Sequence, residues 1–543
     1  MRKTLLFLLC ALSLTSVYAA DTVRVREPQT PILIDKTDNI LYEIRVDAKA
    51  GDVFNSIELK LGQDVDLKKI ESIKLYFAGR DAHTNKGMRY SSGNYFSMGS
   101  NKNPRQANST YSVLQSEVTR FRSNVVSLVS GQKLHEGVHF FWVSLQMKPK
   151  APVSGYFSSS IDNIIVNREY TEIEYKYKSE KRLMGVALRA SGDDGVVSYR
   201  IPGLVTTNEG TLIGTYDVRH NNGADLQEYV DVAIHRSTDK GQTWEPMHTI
   251  MKYGEFGGYP KAQNGVGDPS ILFDTKNNKV YVIAVWSHAI GLGRMWNNSR
   301  DGMELDRTPQ LVISESADDG KTWSEPRNIT EQVKDPKWNF MLQGPGCGIT
   351  MEDGTLVFPT QYIDENRMPY SCFIYSTDAG KTWNRHNAPR ENTTEAQIVE
   401  LEPGTLMLNM RDNRGGSRAV AITKDMGKTW TEHPSSRSAL REPVCMASLI
   451  KIKADDNVTG KDMLVFSNPN ATDGRYNMTV KISFDGGNTW NESDQLLIDS
   501  DWSAGYSCLT QIDAETLGIL YECSGSPLAF QSIKIMDVVN NNK

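Results

Sequence analysis

The sequence predicts an all-β chain in two folded parts, a β-sandwich followed by a β-propeller. Three observations carry this prediction. An eight-residue box, Ser/Thr-x-Asp-x-Gly-x-Thr-Trp, recurs five times. Short runs that alternate apolar and polar residues flank the boxes. The segment 21–180, ahead of the first box, carries similar runs but no box.

The boxes lie at 237–244 (STDKGQTW), 316–323 (SADDGKTW), 376–383 (STDAGKTW), 423–430 (TKDMGKTW) and 483–490 (SFDGGNTW). Their aspartates, Asp239, Asp318, Asp378, Asp425 and Asp485, are spaced by 79, 60, 47 and 60 residues. Unequal gaps around a constant core describe one supersecondary unit with variable loops. Each box has the chemistry of a turn. The Asp can accept hydrogen bonds from backbone amides ahead of it, and the Gly supplies positive φ. The Trp is a large anchor that can pack between neighbouring units. Strand-like runs such as 230–235 (VDVAIH) and 479–483 (TVKIS) place the turn between antiparallel strands, the pattern of propeller blades. The boxes are therefore read as stabilising elements, not as catalytic ones.

The N-terminal segment contains 56–61 (SIELKL) and 139–145 (HFFWVSL), whose alternation suits a sandwich. The stretch 170–181, rich in Glu, Lys and Tyr, reads as a connector to a second domain spanning 181–543.

The first twenty residues read as a secretory signal peptide. A basic start (Arg2, Lys3) precedes an apolar run at 5–14 and a small-residue site ending in Ala19 and Ala20. The run is too short for a membrane helix, and no later stretch is long enough to span a bilayer. The expectation is a secreted protein, periplasmic or extracellular. Loss of Arg2 and Lys3 takes the formal charge from −6 to −8, which argues against nucleic acid as a partner. An anionic ligand would need a local cluster of cations. Five cysteines remain, Cys347, Cys372, Cys445, Cys508 and Cys523, an odd and sparse set that reads as buried thiols. No Cys or His spacing suggests a metal, and no cofactor is implied.

The repeat resembles the Asp box, or bacterial neuraminidase repeat, of sialidases, over about the C-terminal two-thirds of the chain. The resemblance implies a six-bladed propeller, and 181–543 divides into about sixty residues per blade. The N-terminal part resembles the domain that accompanies some bacterial sialidases and looks carbohydrate-binding; a spacer role stays open beside that reading.

The resemblance also assigns site residues. The motif Tyr199-Arg200-Ile201-Pro202 matches the family's Arg-Ile-Pro, and Arg411 and Arg475 resemble the second and third members of its arginine triad. Three guanidiniums suit a sugar whose anomeric carbon bears a carboxylate, because each can bind it in planar, bidentate fashion. The register gives Asp225 as acid/base, with Asp217 as its rival, and Arg219 and Asp268 as substrate contacts. Tyr506 matches the nucleophile, and Glu395 the base that activates it. Glu400 in the same predicted strand points to the opposite face. Glu522 resembles the carboxylate that orients the first arginine. Met295 and Trp296 are read as able to line a pocket, Trp286 as core. The implied activity is that of an exo-α-sialidase, retaining at the anomeric carbon and acting on sialylated glycoproteins, glycolipids and oligosaccharides. A trans-sialidase, an intramolecular trans-sialidase that releases an anhydro product, and a non-catalytic sialic-acid-binding propeller are the alternatives. The latter would have no need of Asp225, Glu395 and Tyr506 together.

Overall fold

A computed structural model describes residues 23–79, 88–89, 97–98, 112–178, 181–226, 229–288 and 295–539. The signal-peptide reading of residues 1–20 falls outside the described residues.

Among the described residues, the N-terminal part is built on a sandwich of two sheets, with Met88–Arg89 and Ser97–Met98 forming a separate two-stranded pair. One has six strands, in the order Ile173–Tyr177, Val23–Arg26, Asn39–Ala48, Gly137–Met147, Ile70–Gly79 and Val113–Val118. The other has four: Glu169–Tyr170, Ser159–Val166, Val53–Leu61 and Val125–Lys133. In Val53–Leu61 the apolar Ile57, Leu59 and Leu61 face inward, as the alternation predicts. Phe54 stacks on Phe141 of the facing sheet with ring centroids 4.0 Å apart. Ile173–Tyr177 lies inside the stretch read as a connector, yet it pairs in parallel with Val23–Arg26. Its Glu and Lys are exposed while Ile173 and Tyr175 are half-buried, so the composition that suggests a linker belongs to an edge strand.

The C-terminal part forms six four-stranded blades, numbered here in chain order. The first, second, third and fourth strands of blade 1 are Ser198–Thr206, Leu212–Arg219, Val230–Ser237 and His248–Met251. Blade 2 runs through Asn264–Asp274, Lys279–His288, Gln310–Ser316 and Arg327–Asn328. Blade 3 has an interrupted first strand, Phe340–Gln343 and Ile349–Thr350, then Leu356–Ile363, Pro369–Ser376 and Asn384–Arg385. Blade 4 is Thr393–Glu402, Thr405–Asp412, Ala419–Thr423 and Thr431–Glu432. Blade 5 is Ser448–Ile452, Met463–Pro469, Met478–Ser483 and Gln495–Asp499. Blade 6 takes Ser507–Asp513, Thr516–Tyr521 and Leu528–Lys534 from the end of the chain, and its fourth strand, Arg182–Arg189, from before blade 1. Two short strands from the N-terminal part, Ile32–Leu33 and Tyr156–Phe157, add to that same fourth strand.

Each box is the turn from a third to a fourth strand. In the first, Asp239 accepts from the Thr243 amide at 2.8 Å and the Thr243 hydroxyl at 2.6 Å, and Ser237 Oγ accepts from the Gly241 amide at 2.9 Å. The other four repeat this pattern. Gly241 sits at φ 86°, and a Cβ there would lie 2.0 Å from the Phe530 ring of blade 6. Trp244 packs edge-on against Phe530 at 5.1 Å, so the box ties its blade to the one before. Blade 6 has no box, because its third and fourth strands come from opposite ends of the sequence and no turn joins them. The five remaining cysteines are free and buried. Among the described residues, no helix is long and apolar enough to cross a membrane.

Candidate active site

In an antiparallel blade the start of the first strand and the end of the second share one face of the propeller. All nine predicted site residues lie there. Arg200, Asp268 and Glu395 stand near the starts of the first strands of blades 1, 2 and 4. Tyr506 immediately precedes the first strand of blade 6. Arg219 and Arg411 close second strands, while Asp225, Arg475 and Glu522 follow second strands. The boxes end third strands and so occupy the opposite face.

The first strands of blades 1, 2 and 4 break register where the site residues sit: between Arg200 and Gly203, Gly267 and Ser270, and Thr393 and Ala396. Ile201 and Asp268 adopt φ of 64° and 52° there. Such bulges turn side chains out of the sheet's alternation and toward the axis.

Glu522 joins two parts of the site. It is 1% exposed and accepts from Arg200 Nε at 2.7 Å, from Arg200 Nη2 at 3.2 Å, and from the amides of Ile201 and Tyr506 at 3.0 Å each. Burial pushes its carboxyl up, but the Arg200 guanidinium and these amides outweigh burial and hold it below the usual range. Arg200 lies 5.1 Å and Arg475 5.6 Å from the centroid of the Tyr506 ring. Arg411 donates to Glu395 at 2.6 Å and to the Tyr506 hydroxyl at 3.3 Å. The Tyr506 hydroxyl in turn donates to Glu395. The three arginines thus surround one phenol. Burial, and after it the Glu395 carboxylate, raise that phenol well above its ordinary 10, with Arg411 and Arg200 pulling the other way. At rest it keeps its proton, aimed at Glu395.

Tyr506 is seated on Ile201, Cys445 and Met446. The preceding Gly505 has φ 89°, and a Cβ on it would meet Pro469 at 3.0 Å, Cys445 Sγ at 3.1 Å and Arg475 Cβ at 3.2 Å. Glycine is required at that close approach.

On the other side, Asp225 is 52% exposed on its loop and accepts from Arg219 at 2.9 Å and Arg200 at 3.4 Å. Its rival Asp217 is fully buried and tied to Arg219 through both Nε and Nη2. Arg219 is itself enclosed. Its guanidinium is shared among Asp217, Asp225 and the Gly223 carbonyl, with Asp268 at 3.8 Å. Burial, and after it the Asp217 charge, raise the Asp268 carboxyl well above the usual range. Glu400 faces away and caps the turn at Gly404. Met295 is buried with Leu226 and Phe340, Trp296 packs against that cluster, and Trp286 is core.

One residue at the site escaped sequence reasoning. Gln343 of blade 3 is fully buried and donates to the Asp268 carbonyl and to the Gly267 carbonyl, the latter at 3.2 Å. It holds the bulge on which Asp268 sits. Nothing in the local run Met341-Leu342-Gln343-Gly344 signals this.

Residues 20–169 match the N-terminal domain of BNR-repeat neuraminidase, and residues 201–522 match a BNR repeat-like domain. The chain is 55% identical to the sialidase of Bacteroides fragilis over 98% of its own length and 97% of that protein's. The chain belongs to the sialidase family. As a sialidase-family member it is a glycoside hydrolase in kind, and a second relative, the Clostridium perfringens sialidase, is 31% identical over 60% of this chain and 87% of its own. The solved Hadza microbial sialidase Hz136 superposes with a TM-score of 0.88 at 50% identity, covering 95% of this chain and 100% of that one. The intramolecular trans-sialidase of Ruminococcus gnavus shares the sialidase fold at a TM-score of 0.55 and 20% identity, over 65% of this chain and 98% of its own.

Proposed function

We propose that the protein is an exo-α-sialidase that hydrolyses terminal sialic acids from glycoconjugates with retention at the anomeric carbon. The observation that carries this reading is the Glu395–Tyr506–Arg411 contact, with Arg200 and Arg475 flanking the same ring. The substrate's anomeric carbon bears a carboxylate, and a carboxylate nucleophile would meet that charge at short range in a site of reduced dielectric. A neutral phenol does not. In this reading Arg200, Arg411 and Arg475 bind the substrate carboxylate. The Tyr506 oxygen attacks the anomeric carbon as its proton passes to Glu395, while Asp225 protonates the leaving oxygen. Water, deprotonated by Asp225, then displaces Tyr506, which recovers its proton from Glu395. Arg219, enclosed, acts on the substrate through Asp225 and Asp268. The N-terminal signal reading supports secretion, and an exported enzyme would meet sialylated glycans directly.

The test is hydrolysis of sialyllactose followed by NMR. The expected first product is the α-anomer of free sialic acid. An anhydro sugar, transfer to an acceptor sugar, or binding without turnover would replace the hydrolase reading.

A further inference from the structure

Tyr506 and Glu522 stand on two short crossings, 499–506 and 522–526, at the rim of blades 5 and 6. These crossings are tied to each other. Asp499 accepts from the Ser524 amide and hydroxyl, both at 2.7 Å, and from the Asp501 amide at 3.1 Å. Beyond them lies the loop of Arg475, whose carbonyl accepts from the Ser503 amide at 3.0 Å. A Cβ on Gly474 would meet the Trp502 ring at 2.4 Å, so that loop is packed directly on the Tyr506 crossing.

The N-terminal part grips both crossings. Arg26, 5% exposed, spans Glu43 of its own sheet at 2.8 Å and Asp501 of the propeller. The Gln29 carbonyl accepts from the Ser500 amide at 2.7 Å. Lys36 Nζ donates to the Gly525 carbonyl at 3.1 Å, three residues after Glu522. Between these grips, Ile32–Leu33 pairs with the closing strand at Met184 and Gly185. Arg182 on that strand donates to the carbonyls of Pro28 at 2.9 Å and Ile40 at 2.7 Å.

From this geometry we infer that the N-terminal segment 26–36 is a working part of the active-site scaffold, with Arg26, Asp501 and Lys36 as positioning residues that set where Tyr506, Glu522 and Arg475 stand. None of the three touches the reacting atoms. They act by fixing the two crossings from outside, and a nucleophile displaced by about 1 Å loses on the order of a hundredfold in rate. The inference rests on the sialidase reading above.

The experiment uses the full chain and three variants. Asp501→Ala releases the first grip while leaving the Arg26–Glu43 pair intact. Lys36→Met releases the second. Arg24→Gln alters the same strand as Arg26, where the ion pairs to Asp47 and Glu174 stay within the sandwich. The readouts are kcat and KM on an aryl sialoside, the rate at which a 2,3-difluoro sialosyl donor labels Tyr506, and Tm. Asp501→Ala and Lys36→Met are each expected to lower kcat and labelling in parallel by roughly tenfold. Values are taken per folded molecule, and Arg24→Gln should match the parent. Folded variants with parental kcat and labelling overturn the inference. So does a loss that disappears once corrected for folded fraction, since that is stability alone. A parent chain inert toward every sialoside removes the sialidase reading and this inference with it. An active parent with unaffected variants removes only the inference.

Discussion

Among the described residues, the Tyr506 hydroxyl donates to one carboxylate, Glu395, and the residue-scale predictions follow from that. Tyr506→Phe should lower kcat by at least about a hundredfold and abolish labelling by the fluorinated donor, as read from the mass of the peptide that holds residue 506. Labelling of Glu395 or Asp225 instead would reassign the nucleophile. Asp225→Ala should cripple hydrolysis of natural sialosides and spare aryl sialosides far more, since a good leaving group needs little protonation. Equal losses on both substrates would take Asp225 out of the acid role. Arg411→Lys should not rescue Arg411→Ala, because an ammonium cannot donate to Glu395 and a substrate carboxylate in one plane; substrate KM checks this. Most of these residues are assigned from the motifs the sequence shares with sialidases, and the carboxylate of the sugar accounts for arginines and a phenol at those positions. Asp225 is preferred over Asp217 for its place in a Gly-containing loop, whereas the burial that separates them, full for Asp217 and half for Asp225, was not legible. Gln343 was invisible for another reason: its amide serves a backbone carbonyl 75 residues away, and any local sequence could accommodate it.

At the scale of the element, the box is a turn whose stability depends on an ionised aspartate. Hydrogen bonds from the Thr322 side chain and amide depress Asp318 to about 2, and those from Thr382 do the same for Asp378. A depressed carboxyl stabilises the fold above its unfolded value near 3.8, and the contribution is lost as pH falls through about 2. Thermal unfolding followed from pH 5 to pH 2 should therefore show Tm falling across the acid limb, with a shallower fall in Asp378→Asn. An unchanged slope would separate the box from acid stability. Gly241→Ala should destabilise by about 2–4 kcal/mol, combining a left-handed backbone with overpacking against Phe530. Box positions and their turn chemistry were readable because eight residues carry the whole signal. Ile32–Leu33 and Tyr156–Phe157 were not, because two residues show no periodicity and each strand exists only by virtue of its distant partner.

Near the junction of its two parts the molecule buries two acids, Glu43 paired with Arg26 and Asp499 hydrogen-bonded by Ser524 and Asp501. Burial raises Glu43 to about 7 against the pull of Arg26, and burial followed by the Asp501 charge raises Asp499 to about 7. A raised carboxyl stabilises the fold below its unfolded value near 4, and that stability drains away as pH rises through 7. Tm should fall between pH 5 and 7.5, and less so in Asp499→Asn; a flat profile in the parent would contradict the assignment. The sandwich and the propeller were each foreseeable from local alternation and the repeat, whereas their interlock depends on contacts such as Arg26 to Asp501, across 475 residues, that no window of sequence contains. The closing blade has a further consequence. Arg182–Arg189 waits for Leu528–Lys534, and Gln531 reaches back 348 residues to the Leu183 carbonyl. A polypeptide emerging in the order of its synthesis cannot complete that last sheet until residues 528–534 exist, and Tyr506 and Glu522 flank its first two strands. A chain still lacking 528–534 is therefore expected to leave those two residues without the sheet that seats them. Truncation before residue 528 is expected to abolish turnover of an aryl sialoside rather than reduce it in part, and partial activity in the shortened chain is the contrary result.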